Sequence, residues 1–396
     1  MQLPVKFVLG LLAASGLAMA STDDASVVNL ERRTRNQYIS VDNVLDLKAI
    51  SRHFKVVNGK YAEAMRNYKR NTGEDHPLLR FIADLFDKRA NTGEIGLEDV
   101  NQEQLWAGQV SYGGQKMYVD FDTGSADTLV NPAAYSPSKS STSKNTHHSF
   151  RTAYGDGTTA AGTIYTDHFS IGGVSANNVA IGRSTQTFIK GEDPNQGIAG
   201  MAFPSIQAFP KENPPFFVSL MQQKKVAQGV FQFTIKAGSG STLHLGGVDK
   251  SKFSGDLVYS GVNPQQGFWA TQAKVNGQSI NAIMDTGSTI ITGPTDQVRR
   301  LFSSIPGLSS FTQEGQLFAS YDCSKTPSVT FNIAGKDFKL GRDQTRYGTV
   351  NGRCVFTVVG QNDLPMNAWI IGDSFFQVAS VVFDMDKNRM GFAQQA

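Results

Sequence analysis

Phe121-Asp122-Thr123-Gly124-Ser125 and Met284-Asp285-Thr286-Gly287-Ser288 carry the same tetrapeptide, Asp-Thr-Gly-Ser. Each follows a strand-like run, Met117-Tyr118-Val119 before the first and Ile280-Asn281-Ala282-Ile283 before the second. A second matched pair comes later: Ile198-Ala199-Gly200 and Ile370-Ile371-Gly372, two apolar residues and then glycine. Gly124 and Gly200 are 76 positions apart, and Gly287 and Gly372 are 85 apart. One Asp-Thr-Gly alone would read as a turn former. The same order at similar spacing, twice, implies two similar lobes.

Outward from the repeat, the texture from about residue 101 is strand and turn. Gly229–Ile235, Ser328–Ile333 and Ser380–Asp384 alternate or are rich in β-branched and aromatic residues. Gly-Gly, Asn-Gly and Asp-Gly pairs separate such runs, which predicts an all-β fold over nearly 300 residues. The whole chain is 396 residues, 40% hydrophobic and 18% charged, which is a globular composition. A net charge of +3 does not point to nucleic acid or a membrane surface. Two cysteines are too few for a zinc module, and the six histidines show no metal-ligand spacing. No cofactor or metal is expected.

The ends read differently. Lys6, the apolar run Phe7–Leu17 and Ala18-Met19-Ala20 form a signal-peptide pattern over 1–20. An extracellular destination is favoured over a vacuolar one. In that oxidising compartment Cys323 and Cys354 would close a loop of about thirty residues, worth roughly 3–4 kcal/mol in the chain-entropy picture. The alternative is two free buried thiols. Residues 21 to about 100 are rich in charge and poor in glycine. Leu45–Phe54 and Tyr61–Tyr68 read as short amphipathic helices, and Pro77–Arg89 as a third, ending in the dibasic pair Lys88-Arg89. The expected division is a signal peptide over 1–20, a propeptide over 21–89, an N-terminal lobe over 90–250 and a C-terminal lobe over 251–396. No apolar run after the signal is long enough to span a membrane.

From about residue 97 to the end, the chain resembles the pepsin-like aspartic proteases, the secreted fungal ones above all. Besides the two Asp-Thr-Gly-Ser motifs, the resemblance rests on Ala153-Tyr154-Gly155-Asp156-Gly157, Gly197–Pro204, Leu245–Asp249, Trp369–Phe376 and the ending Val382–Asp386 with Met390–Ala393. It implies a bilobal fold of two pseudo-twofold-related β lobes with a central active-site cleft. Asp122 and Asp285 would be the catalytic pair. Thr123 and Thr286 would cross-link the two loops, and Ser125 and Ser288 would bond the outer carboxylate oxygens. Tyr154, Gly155 and Asp156 would form the tip of a flap. Gly124, Gly287, Asp120, Phe268, Ile283 and Ile370 would meet substrate, with Ile189 and Ile198 at pocket walls. Cys323 and Cys354 fall where the family has its C-lobe disulfide.

The chemistry agrees with that resemblance. Two carboxyls held face to face cannot both ionise, so they share a proton. The charged member can activate a water and the protonated one can donate to a peptide carbonyl. The implied enzyme is an aspartic-type endopeptidase made as a zymogen. It would work in acid, prefer bulky apolar residues on both sides of the bond and accept Lys at P1 through Asp156. Its expected partners are protein and peptide substrates, its own propeptide as inhibitor and pepstatin-like inhibitors; a monomer is expected. Relatives use a propeptide lysine against the dyad. Here Asn67 stands at the matching place, which leaves Lys60, Arg66 and Lys69 as candidates. A further departure is Leu129, where relatives usually carry the tryptophan that supports the flap tyrosine. The rival reading is a catalytically silent pepsin-fold binding or inhibitor protein, but such proteins usually lose one of the two motifs.

Overall fold

The computed structural model describes residues 26–32, 44–79, 106–153, 159–190, 194–237 and 240–396. Among the described residues strand is the main secondary structure, in one sheet of thirteen strands and another of eleven. Its first described elements are the strand β1 (Ser26–Arg32) and the helix α1 (Leu47–Thr72). After them come β2 (Trp106–Tyr112), β3 (Gln115–Asp122) and β4 (Thr128–Val130).

The sequence repeat becomes a repeat of topology. In the thirteen-stranded sheet β3 runs parallel to Asn195–Gly200, pairing Asp122 with Gly200, and β4 runs antiparallel to that same strand. In the other sheet Gln278–Met284 runs parallel to Trp369–Ile371, and Ile291–Pro294 runs antiparallel to it. Both second strands therefore lie between the strand that enters an Asp-Thr-Gly-Ser loop and the strand that leaves it. This explains the paired glycines. A Cβ on Gly200 would strike the backbone of Ala126 and Asp127, and one on Gly372 the carbonyl oxygens of Ser288 and Ile290.

Sheet membership does not follow chain order. Phe253–Gly261, Ala379–Asp384 and Arg389–Gln395 join the thirteen-stranded sheet. β1 is an interior member of it, paired antiparallel to Ser241–Leu245 on one side and β2 on the other. Cys323 and Cys354 are joined, closing a loop with a sequence separation of 31 in the eleven-stranded sheet's half.

α1 departs from the expected pair of short helices. It is one helix of 26 residues that continues through Asn58-Gly59. Ile50, Phe54, Val57, Tyr61, Met65 and Tyr68 recur at intervals of three and four, so one buried stripe spans both segments. That burial outweighs the cost of a single interior glycine, about 1 kcal/mol. Asp46 caps the start, accepting from the Lys48 and Ala49 N–H groups. Gly73, at φ 85°, ends it in the left-handed conformation. The third expected helix does not begin at Pro77: Pro77–Leu79 form a turn and a bridge from Leu79 to Met366. Residues 80–89, the signal segment and the dibasic pair lie outside the described residues. Among those described, no helix is long and apolar enough to cross a membrane.

Candidate active site

Each Asp-Thr-Gly-Ser loop closes on its own carboxylate. Asp122 Oδ1 accepts from the Gly124 N–H at 2.8 Å and Asp122 Oδ2 from Ser125 Oγ at 2.5 Å. Asp285 Oδ1 accepts from the Gly287 N–H at 3.0 Å and Asp285 Oδ2 from Ser288 Oγ at 2.7 Å. The threonines join the loops. Thr123 Oγ1 donates to the Met284 carbonyl at 2.8 Å and Thr286 Oγ1 to the Phe121 carbonyl at 2.5 Å. In return Thr123 Oγ1 accepts from the Thr286 N–H, and Thr286 Oγ1 from the Thr123 N–H, at 3.0 and 3.1 Å. Each glycine makes room for the opposite carboxyl. A Cβ on Gly124 would overlap Asp285 Oδ1, and one on Gly287 would overlap Asp122 Oδ1. The two acids are thus buried face to face.

α1 lies across this pair. Lys60 Nζ is 3.1 Å from Asp122 Oδ1 and 3.0 Å from Asp285 Oδ2. The Tyr61 hydroxyl donates to Asp285 Oδ2 at 2.6 Å. Of the other basic candidates, Arg66 pairs with Glu63 on its own helix, and exposed Lys69 pairs with Asp75 at 2.9 Å. Asn67 is buried and lines the cavity beside Asp122, Gly124 and Ser125.

The electrostatics of the two acids differ. Burial pushes Asp122 up to about 6; the Lys60 charge opposes that push and the neighbouring Asp285 adds to it. Burial also acts upward on Asp285, but the Lys60 charge and hydrogen bonds from Asp122, Ser288 and Tyr61 outweigh it, leaving Asp285 at about 2. Lys60 loses hydration on burial, yet the two carboxylates hold its pKa above the usual lysine range. The Tyr61 phenol is raised, by burial first and then by Asp285, so it stays a neutral donor.

The apolar residues named from sequence lie beneath α1. Phe268, Ile283 and Ile370 are buried with Ile206, Ala126 and Met366 against Val57, Tyr61, Ala64, Met65 and Tyr68. Ile198 lines the cavity next to the dyad. Ile189 is buried with both its backbone polar groups bonded to Asn131. Asp120, two residues before Asp122, is buried in β3 opposite Ile198 and Ala107. Tyr154, Gly155 and Asp156 lie outside the described residues; the strands leading to them, Lys144–Ala153 and Thr159–Ile171, pair up to Ala153 and Thr159. Leu129 packs with Phe150, Ile164 and Phe209 and has no polar group to offer a flap tyrosine.

A sequence model of the eukaryotic aspartyl proteases matches residues 105–395, both loops included. The chain belongs to that family. It is similar to "Secreted aspartyl protease 1" of Malassezia globosa, at 53% identity over 394 residues, 99% of each chain. It is also similar to "Aspergillopepsin-1" of Emericella nidulans, at 32% identity over 72% of this chain and 77% of that one. A third relative, "Probable inactive secreted aspartyl protease" of Malassezia globosa, is 28% identical over the full length of both. The protein is a secreted aspartic-type endopeptidase with a bilobal pepsin-like fold.

Sequence reading missed two groups here. Tyr61 bonds the dyad, and the signal for it was its place beside Lys60 on the apolar stripe. Asp127 accepts from the Ala208 and Phe209 N–H groups at 2.6 and 3.0 Å, and no local sequence pattern marks partners so far along the chain.

Proposed function

We propose that the protein is an acid-activated endopeptidase made as a zymogen, with Asp122 and Asp285 as its catalytic pair and α1 as the segment that blocks them. The observation carrying this reading is the position of the Lys60 ammonium, bonded to both carboxylates at once. A scissile peptide and its attacking water would need the same space.

With α1 gone, a water can sit between the acids. Its oxygen bonds to the peptide carbonyl carbon as the ionised carboxylate takes its proton. The protonated carboxyl gives its own proton to the carbonyl oxygen. The tetrahedral diol then collapses, the C–N bond breaks and the leaving nitrogen takes a proton. Gly124, Gly287, Ser125 and Ser288 fix the carboxyl orientations throughout.

Acid supplies the release. Asp285 is held below its ordinary 3.8, so its support for α1 docking is present above that pH and is lost as pH falls toward 2. Asp122 differs in its resting charge. Burial and the neighbouring Asp285 raise it to about 6 against the pull of Lys60, which makes it the proton-bearing member of the pair. His76 adds a second acid-sensitive point. It is buried between Tyr68 and Phe268; its Nε2 meets the Gln266 carbonyl at 2.6 Å and its Nδ1 accepts from the Leu78 N–H at 3.1 Å. That arrangement requires a neutral ring, and burial holds its pKa below 6.5. Its contribution is complete above 6.5 and declines as pH falls below it.

Undocking would uncover Phe268, Ile283 and Ile370, which supports a preference for bulky apolar residues at P1 and P1′. Acceptance of Lys at P1 through Asp156, with Asp120 beneath, remains part of this proposal. The test is acid incubation followed by N-terminal sequencing and a fluorogenic peptide assay with and without pepstatin. The expected result is a new N-terminus near residue 90 and pepstatin-sensitive hydrolysis. Residue 21 still present in fully active enzyme overturns the zymogen reading, and hydrolysis insensitive to pepstatin overturns the dyad.

A further inference from the structure

We propose that the opened cleft carries a seat for a substrate arginine, built from Asp127 and the carbonyl oxygens of Gln207 and Ala208. The inference rests on the release of α1, because an arginine of α1 occupies the seat now. Arg70 Nη2 donates to the Gln207 carbonyl at 2.8 Å and to the Ala208 carbonyl at 3.2 Å. Next to it, Asn71 Nδ2 donates to the Gln207 and Ser205 carbonyls at 3.0 and 3.2 Å. Gln207 O therefore accepts two side-chain donors from α1, and it loses both when the helix leaves.

Asp127 makes the seat anionic. Its two oxygens are fixed from behind by the Ala208 and Phe209 N–H groups, so the carboxylate is anchored to the loop that presents the carbonyls. Burial pushes Asp127 up to about 6, against those two bonds and the attraction of Arg70. Uncovering the cleft admits water and relieves that push, so the carboxylate ionises more readily in the mature enzyme. Asp127 and Ala208 line the same cavity as Asp122, Gly124 and Ser125, so a substrate bound at the dyad passes within reach.

The chemistry selects arginine. Arg70 Nη2 alone bridges both carbonyls, so a guanidinium seated there keeps further N–H donors for neighbouring oxygens, whereas an ammonium has one nitrogen with three N–H groups. The seat lies away from the scissile bond. Ten residues of helix separate Arg70 from Lys60, on the order of 15 Å, which equals some four or five residues of extended peptide.

The experiment uses the acid-converted enzyme at about pH 5.5, above the ordinary carboxylate range. A peptide series with a constant apolar P1–P1′ core carries arginine in turn at each other position from P4 to P4′. Each member is compared with its citrulline counterpart, which keeps the shape and removes the charge. The expected result is one position at which arginine raises kcat/KM about tenfold over citrulline, with lysine intermediate. In Asp127→Asn that ratio falls to near one. A wild-type enzyme that cleaves the series with ratios near one throughout overturns the seat and leaves the protease reading standing. So does a preference that survives Asp127→Asn. An acid-treated chain that cleaves no member overturns both, because the seat exists only in an emptied cleft.

Discussion

The loops at Asp122 and Asp285 have the same four residues, the same N–H and hydroxyl bonds and the same threonine cross-link. Their acids nevertheless shift in opposite directions, Asp122 upward and Asp285 downward. Part of the difference lies between the acids, whose mutual hydrogen bond acts upward on Asp122 and downward on Asp285; the rest comes from outside the loops. Lys60 touches both acids, but the Tyr61 hydroxyl bonds Asp285 alone. The asymmetry of the pair therefore combines the hydrogen bond shared between the acids with the Tyr61 bond supplied by α1, while the two loops themselves are close to equivalent.

The strongest way to break that equivalence is to remove one acid at a time. Asp122→Asn and Asp285→Asn should each lower kcat about a thousandfold or more in acid while leaving the fold intact. If either variant kept a tenth of the wild-type rate, the shared-proton mechanism would be wrong. Next comes Lys60→Met, which leaves two facing carboxyls without their cation. Truncating one side of a buried ion pair costs about 3–5 kcal/mol, less here because the acids can take up a proton. Conversion of this variant, followed by gel over a pH series, should begin at a higher pH than in wild type.

The cross-link tests the equivalence directly. Thr123→Val and Thr286→Val each strip a buried carbonyl and a buried N–H of their partner. Each should cost about 1–3 kcal/mol, and the two should cost the same to within their error in thermal melts. A large inequality would locate an asymmetry in the loops themselves. Tyr61→Phe removes one hydrogen bond to a charged carboxylate, about 1.5–3 kcal/mol, and leaves the cross-linked loops untouched. Without the phenol, Asp285 is held down less firmly, so docking of α1 weakens and acid conversion should start at slightly higher pH. Conversion unchanged or moved to lower pH would show that Tyr61 does not set the asymmetry.

The parts legible in the sequence are those written as local patterns. The two loops, their glycine partners and the strand texture could be read because each needs particular residues in a short span. The threonine cross-link also follows, once the two copies are placed face to face. The helix was harder. Gly59 and its neighbour Asn58 look like a break, and only the continuous stripe from Ile50 to Tyr68 shows that they are not one. Which basic residue meets the dyad depends on rotation about that helix. Arg66 falls opposite the stripe, while Lys60 and Lys69 border it on opposite edges, so the choice between them needs the docked position of α1. Asp127 was hidden for a different reason: its partners, the Ala208 and Phe209 N–H groups, lie about eighty residues away.

β1 gives the proposed processing a second meaning. It is hydrogen-bonded on both edges, to Ser241–Leu245 and to β2. Excising residues 21–89 would therefore open a slot in the interior of a sheet and face two strands across it with unpaired backbone groups. Such rows invite another chain to add a strand. The amino-terminal segment would then be a scaffold as well as a stopper, and maturation would have to re-seal the sheet as fast as it frees the cleft.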